Sequence, residues 1–307
     1  MINRVLIRLK IVQIIYAYYK NSGKTLKATE DEVFFSLSKA YDLYNYMLLL
    51  IVGITHYAAD RISFLSMKIR PTESDRNPNL KFVNNRFALQ LENNEQLKKF
   101  AEKSKLNWVE NSDLLRRMLD KIEESDIYKE YMAAEASSYE EDKELWRKLY
   151  KAFVFDNEEL DSLLEEQSLY WNDDKSIVDS FVLKTIKRFE EKNGATQQLL
   201  PEYKDVADME FARKLFRNAI GNAEQYREMM SSSSKNWDMS RLAFMDVVIM
   251  QVALAEIMTF DDVPLSVSLN EYVEIAKHYS TVKSGSFVNG MLDTITKKLR
   301  QENKINK

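Results

Sequence analysis

Glycine and proline are so scarce in this chain that they restrict it to one class of fold. Six glycines and four prolines are present among 307 residues, whereas folds made of strands and tight turns use many more of both. Good helix formers such as Leu, Lys, Glu, Ala and Met fill long stretches instead. The sequence therefore predicts an all-α protein, built as one large helical body or as two domains.

The chain has no cysteine, which excludes disulfides, thiolate metal sites and cysteine nucleophiles and is typical of the reducing cytoplasm. Arg4, Arg8 and Lys10 interrupt the apolar start of the chain, so we expect no secretion signal. The longest apolar run, Tyr46 to Ile54, is about half the length needed to span a bilayer. We therefore expect a cytoplasmic protein with no membrane partner.

The net charge of −4 hides an uneven distribution of charge. The first 29 residues carry six basic side chains and no acidic one, and the segment after Asp293 carries five basic side chains against Glu302 alone. Two basic termini that lie close together would form a local phosphate-binding patch on an acidic protein. The alternative is that both are merely solvated tails.

Helical periodicity organises the chain. Apolar residues from Val5 to Tyr19 share one face of a first helix, and a second helical stretch runs over residues 30–67. Residues 70–79, with two prolines, predict a loop, and residues 194–201 predict a second break. Three tryptophans in the intervening helical region are predicted packing anchors: Trp108, Trp146 and Trp171.

The stretch from Arg241 to Met258 is apolar on every helical face, which predicts a helix at the centre of a bundle. Its interior polar residues, Asp246, Gln251 and Glu256, then need hydrogen-bond partners. Structural pairing is one interpretation of these residues, and contact with a partner protein at an exposed helix end is the other.

Catalytic and metal sites have little support in the sequence. His56 and His278 lack a second ligand at metal-binding spacing, and Lys283-Ser284 lacks the glycine pattern of a phosphate-binding loop. We therefore predict that the chain is not an enzyme and needs no metal or cofactor.

Basic and aromatic side chains near the two ends of the chain favour a binding function. Arg4 and Arg8 lie one helical turn apart, so both guanidinium groups are expected on the same side of the first helix, where they could engage phosphates or bases. Phe287, close to Lys283, could stack on an unpaired base. A core position is the alternative for Phe287.

Two segments carry a resemblance to a known family. The turn Asp261-Asp262-Val263-Pro264 leads into a helix with an internal Asn270-Glu271, and the segment from Lys283 to Asp293 reads KSGSFVNGMLD. Together they resemble the signature of the NusB family. The first helix is similar too, although Val5, Leu6 and Ile7 thin the arginine cluster that many members carry there.

The resemblance implies an all-α fold of two small lobes and a role in transcription antitermination. It implies boxA RNA, the ribosomal protein NusE and the antitermination complex of RNA polymerase as partners. It also implies roles for six residues: RNA contacts at Arg4, Arg8, Lys283 and Phe287, and a partner-facing surface at Tyr16 and Asp246.

We assign residues 1–22 and 206–300 to a NusB-like core, 30–200 to a helical insertion of unknown role and 301–307 to a basic tail. A helical protein-interaction scaffold without an RNA role is the alternative function. The RNA-recognition module of an rRNA methyltransferase is a third hypothesis, which the absence of a glycine-rich cofactor loop and of alternating strands and helices argues against.

Overall fold

The protein is all-α, as the sequence predicts. The computed structural model describes residues 1–21, 23–233 and 242–307. Strand pairing in these ranges is limited to a single isolated bridge between Ile2 and Tyr203. The α-helices of the described residues are α1 (Arg4–Lys20), α2 (Leu26–Ser66), α3 (Glu73–Arg76), α4 (Arg86–Glu92), α5 (Glu95–Ser104), α6 (Ser112–Glu124), α7 (Asp126–Ala133), α8 (Tyr139–Phe153), α9 (Glu158–Gln167), α10 (Lys175–Arg188), α11 (Val206–Gly221), α12 (Ala223–Ser233), α13 (Phe244–Thr259), α14 (Leu265–Tyr279) and α15 (Ser284–Gln301).

The chain forms two compact units. Unit 1 comprises Met1 and residues 38–202, and unit 2 comprises residues 2–37 and 203–307. The boundary falls inside α2, whose first turns belong to unit 2, where Glu30 forms ion pairs with Arg217 at 3.0 Å and with Arg213 at 3.4 Å. Residues 30–37, which the sequence assigned to an insertion, therefore lie in unit 2. The extent of the NusB-like core itself stays a prediction.

Unit 1 is organised around stacked aromatic side chains. The ring of Tyr46 on α2 lies nearly parallel to Trp108, with 4.1 Å between centroids, and 5.7 Å from Trp171. The Trp108 indole N–H donates a 2.9 Å hydrogen bond to the Tyr46 carbonyl. A Cβ on Gly53 would lie only 3.1 Å from the Trp108 Cβ, so this glycine allows the indole to approach α2 closely. All three tryptophans are buried, which confirms them as packing anchors.

Unit 2 is built around α13, as predicted for an apolar helix. Nearly all of its residues from Asp246 to Ile257 are buried, and it packs against α1, α11, α12, α14 and α15. Arg241, with which the predicted helix began, lies outside the described residues.

The loop predicted over residues 70–79 is wrong in part, because it contains the one-turn helix α3. Thr72 and Asp75 form a reciprocal capping box: the Thr72 hydroxyl accepts from the Asp75 N–H at 3.2 Å, and the Asp75 carboxylate accepts from the Thr72 N–H at 2.9 Å. These two bonds satisfy helix-terminal donors and stabilise a turn too short for periodicity to reveal.

Within the described residues, α2 has the length and composition of a bilayer-spanning helix. Core helices of soluble proteins pass the same test, and the α2 residues Leu43, Met47 and Ile51 are buried within unit 1.

Truncation of a packing anchor should destabilise unit 1. The variant Trp108→Ala removes the stacking on Tyr46 and one buried hydrogen bond, so we expect the free energy of unfolding to fall by about 3–5 kcal/mol. Urea titration followed by circular dichroism measures this change. Leu169→Ala, at a side chain that is 85% exposed in the same unit, should change it by less than about 0.5 kcal/mol. Equal stability of the two variants would contradict the role given to Trp108.

Candidate nucleic-acid and partner interface

A buried ion pair joins the first helix to the central helix of unit 2. The Arg8 guanidinium, 3% exposed, donates from Nε to Oε2 of Glu256 at 2.7 Å and from Nη2 to Oε1 at 2.9 Å. The fully buried Glu256 also accepts hydrogen bonds from two hydroxyls of α14, those of Ser268 at 2.7 Å and Tyr272 at 3.0 Å. Three helices thus meet at one carboxylate.

Burial and neighbouring charges shift the pKa values of Arg8 and Tyr272 in this network. Burial alone would lower the pKa of Arg8, but the hydrogen bonds and negative charge of Glu256 outweigh it and raise that pKa. Burial, together with the Glu256 carboxylate, raises the pKa of Tyr272 well above its ordinary value. These shifts favour the charged form of Arg8 and the neutral, hydrogen-bond-donating form of Tyr272.

The expectation that Arg4 and Arg8 present two guanidinium groups together at the surface is wrong for Arg8. Its side chain turns toward α13 because Glu256 needs a charged partner in the interior. Lys10 is buried as well. Two of the six cations counted in the basic N-terminal segment are thus withdrawn from the surface.

Arg4 remains partly exposed, on the same end of α13 as the buried pair. Its guanidinium carbon lies 4.6 Å from the centroid of the Phe211 ring, and its nitrogens lie 3.7 Å from an oxygen of Asp208 and 3.5 Å from one of Asp262. The Arg4 cation is therefore stacked on an aromatic face and shared between two carboxylates.

The two basic termini approach each other at this end of unit 2. The Phe211 ring beneath Arg4 lies 4.6 Å from the ring of Phe260, whose carbonyl accepts a hydrogen bond from the Lys307 ammonium. Asp208 and Asp262 accompany the cations, so the surface is mixed in charge and not the purely basic patch expected.

At the opposite end of α13, a hydrogen bond fixes the start of α15. The Ser284 hydroxyl donates to the Asp246 carboxylate at 2.9 Å and accepts from the Thr281 N–H at 3.1 Å. Asp246 is buried, so its predicted position on an exposed partner-facing surface is wrong. The other interpretation, structural pairing, is confirmed for Asp246, Gln251 and Glu256. The Gln251 side-chain amide donates to the Ala219 carbonyl at 2.8 Å.

Lys283 and Phe287 lie at the first turn of α15, directly beside the Asp246–Ser284 hydrogen bond. Lys283 is exposed and Phe287 is half-buried. Across the described part of the chain, no ion pair engages the Lys283 ammonium. A cation, an aromatic ring and the N-terminal amides of a helix therefore lie within one turn.

A cluster of aromatic rings and a cation lies on the α1 side of the same end, and we call it the α1 aromatic cluster: Tyr16, Tyr19, Lys20 and Phe244. The Tyr16 and Phe244 rings are 5.5 Å apart, and the Lys20 ammonium lies 4.6 Å from the Phe244 centroid. All three rings are half-buried. Sequence reasoning identified Tyr16 alone, although Lys20 lies one helical turn further along α1.

The predicted site residues thus separate into two groups, one at each end of α13. Arg4 and Arg8 adjoin Glu256 and the turn after α13, whereas Tyr16, Lys283 and Phe287 adjoin its first turn. Glu256 and Asp246 are ten residues apart in one helix, which corresponds to about 15 Å. The structure does not bring the four predicted RNA contacts together.

Both histidines lie beside carboxylates at the surface. His56 pairs with Glu92 at 2.9 Å, and His278 lies 3.9 Å from Glu274, with both imidazoles exposed. Within residues 1–21, 23–233 and 242–307, no three or more His, Asp or Glu side chains come together in a group that could hold a metal ion.

Comparison with known proteins places the resemblance on the C-terminal part of the chain. The model described as the NusB family matches residues 180–297. The Transcription antitermination protein NusB of Salinibacter ruber is 36% identical over 132 residues, 41% of this chain and 82% of that protein. The protein of the same name from Chloroherpeton thalassium is 34% identical over 39% of this chain and 58% of its own length.

A third relative with that name, from Desulfatibacillum aliphaticivorans, is 36% identical over 36% of this chain and 76% of its own length. No solved structure matches the chain significantly. Residues outside the matched part, which include most of unit 1, are additional to what these relatives share.

Loss of the buried charge pair should be costly for unit 2. Glu256→Gln removes the buried carboxylate that pairs with the Arg8 guanidinium, so we expect the free energy of unfolding to fall by about 3–5 kcal/mol. Glu271→Gln is the matched control, because this partly exposed carboxylate lies 3.9 Å from the same guanidinium and should contribute about 1 kcal/mol or less. A similar loss in both variants, measured by chemical denaturation, would argue against the central role of Glu256.

Proposed function

The chain belongs to the NusB family, and on that premise we propose that it is a transcription antitermination factor that binds boxA-type RNA together with NusE and assists transcription of rRNA. The observation that carries this proposal is the KSGSFVNGMLD segment at the start of α15. It falls within the residues that match the family. Relatives that match the C-terminal part of the chain are named transcription antitermination proteins.

The chemistry of the α15 terminus supports RNA as the ligand. Lys283 offers an exposed ammonium for a phosphate, and the partly exposed Phe287 ring offers a face on which an unpaired base can stack. The first-turn N–H groups of α15 favour negative charge nearby. Arg4 is a second phosphate contact at the other end of α13. Arg8 itself is buried and makes no RNA contact in this proposal. It holds α1, which carries Arg4, in place through Glu256.

The α1 aromatic cluster is the candidate NusE-facing surface. Partly exposed aromatic rings are enriched at protein–protein interfaces. Tyr16 contributes directly, whereas the buried Asp246 contributes by fixing α15 through Ser284. The protein–RNA assembly then joins the antitermination complex of RNA polymerase, acts in the cytoplasm without catalysis and requires no cofactor.

A protein-interaction scaffold is the second candidate function, and the charge of unit 1 favours it. Unit 1 carries 31 acidic against 24 basic side chains, whereas unit 2 carries 17 against 20. An acidic unit of this size is poorly suited to RNA and well suited to basic protein partners.

RNA binding separates the two functions. We would titrate a boxA RNA and a scrambled RNA with the full chain, alone and with NusE, at two salt concentrations. Antitermination predicts that NusE tightens binding to boxA selectively and that affinity falls steeply with salt, because bound phosphates release counterions. An absence of RNA binding with and without NusE would leave the scaffold function.

Charge reversal at the α15 terminus should weaken RNA binding. Lys283→Glu replaces a phosphate contact with a repelling charge, so we expect about tenfold lower affinity at low salt and a salt slope smaller by about one. Fluorescence anisotropy of labelled boxA RNA measures both. Lys184→Glu, at an exposed lysine of α10, makes the same charge change and should leave binding nearly unaltered. Equal loss in both variants would point to net charge instead of a contact.

A polar substitution in the α1 aromatic cluster should weaken NusE binding. Tyr16→Asp removes ring contact with Phe244 and places a charge in an apolar interface, so we expect at least about tenfold lower affinity by calorimetry. Val5→Asp, at an exposed position near the other end of the same helix, is the control. Unchanged NusE affinity in a folded Tyr16→Asp protein would remove this cluster from the interface.

A further inference from the structure

Unit 1 contains an open apolar groove of about 600 Å³. The second half of α2 forms one wall, and the segment from Ala101 to Leu115 forms the other. Val52, Trp108 and Leu115 are buried at its base. On the rims, Phe64 is 72% exposed and Val109 is 80% exposed. Large apolar side chains exposed on both sides of an apolar groove are typical of interaction sites.

The dimensions of the groove fit a helix. Its α2 wall presents residues from Leu49 to Phe64 at intervals of three and four, a stripe of one helical face about 22 Å long. A partner helix of four turns would lie along this length with apolar anchors at matching intervals. An extended peptide would find no sheet edge here, because the described residues of unit 1 form no strand. A helix brings its own backbone hydrogen bonds and needs none from the groove.

The charges around the groove determine what kind of helix fits. The cationic side chain of Arg61 is engaged by Asp120 at 2.8 Å and by Glu123, and His56 is engaged by Glu92.

Asp60, which lines the groove, and Glu110, next to Val109, are exposed and form no ion pair with any cation in the described ranges. Lys103 and Lys105 are the exposed cations of the 101–115 segment, and the exposed carboxylates Glu102 and Asp113 of the same segment balance them in number. The charge left for a partner is therefore negative.

We propose that this groove is the docking site for a basic amphipathic helix of a partner protein. Leucine-like side chains of that helix fill the space between Phe64 and Val109, and its lysine or arginine side chains face Asp60 and Glu110. Apolar burial supplies the affinity, and the acidic rim selects the sign of charge on the partner. The proposal concerns unit 1 alone and does not depend on RNA binding by unit 2.

The probe is a fluorescein-labelled peptide of about 15 residues, with leucines at helical intervals of three and four on one face and lysines on the other. An analogue with glutamates in place of the lysines tests the sign of charge. We expect the lysine peptide to bind the full chain, with at least about tenfold weaker binding to Val109→Asp and to Phe64→Asp. Leu169→Asp introduces the same charge at an exposed site outside the groove and should bind as the parent protein does.

Charge reversal on the rim tests selectivity separately from apolar contact. The double variant Asp60→Lys/Glu110→Lys should lose affinity for the lysine peptide and gain it for the glutamate peptide. Glu165→Lys/Glu166→Lys makes the same net change on exposed residues of α9, away from the groove, and should show neither effect.

Three results would overturn the proposal. The first is no binding of the lysine peptide, or equal binding by the parent protein, Val109→Asp and Leu169→Asp. The second is self-association of the chain that Val109→Asp abolishes, which would make a second copy the occupant. The third is binding to anionic phospholipid vesicles that Phe64→Asp abolishes, which would make the groove a membrane contact.

Discussion

The ion pair between Arg8 and Glu256 is the interaction on which the architecture of unit 2 depends. Removing both charges from water is expensive, and only a geometry that satisfies every polar group repays the cost. Here both guanidinium–carboxylate bonds are short, and Ser268 and Tyr272 complete the coordination of the carboxylate. Because three helices contribute, any shift of α1 along α13 would leave a buried charge unpaired. The network thus specifies the position of α1 relative to α13 and α14.

The fixed position of α1 determines what the two ends of α13 present to solvent. At one end, Arg4 is stacked on Phe211 beside acidic side chains. At the other end, Tyr16 meets Phe244, and Ser284 holds the first turn of α15 next to Asp246. Two chemically different surfaces on one small body fit the proposed function, in which an RNA and a protein partner are bound at the same time.

Unit 1 has a different physical character. Its acidic excess and its open groove between α2 and the 101–115 segment favour apolar and basic partners, whereas the slight basic excess of unit 2 favours phosphates. Residues beyond the part shared with the named relatives thus supply the groove that we propose as a docking site. Because Gly53 has no Cβ, the Trp108 indole packs closely against α2 at the base of that groove.

The sequence by itself determined the all-α class, the central position of α13 and the packing role of the tryptophans, because periodicity and composition report local propensity and burial. It also showed that Asp246, Gln251 and Glu256 needed partners. Only the tertiary structure decided which partners they have: Glu256 pairs with a residue 248 positions away. One-turn spacing placed Arg4 and Arg8 on the same side of α1, but whether that side faces solvent or a buried carboxylate depends on how helices distant in sequence pack together.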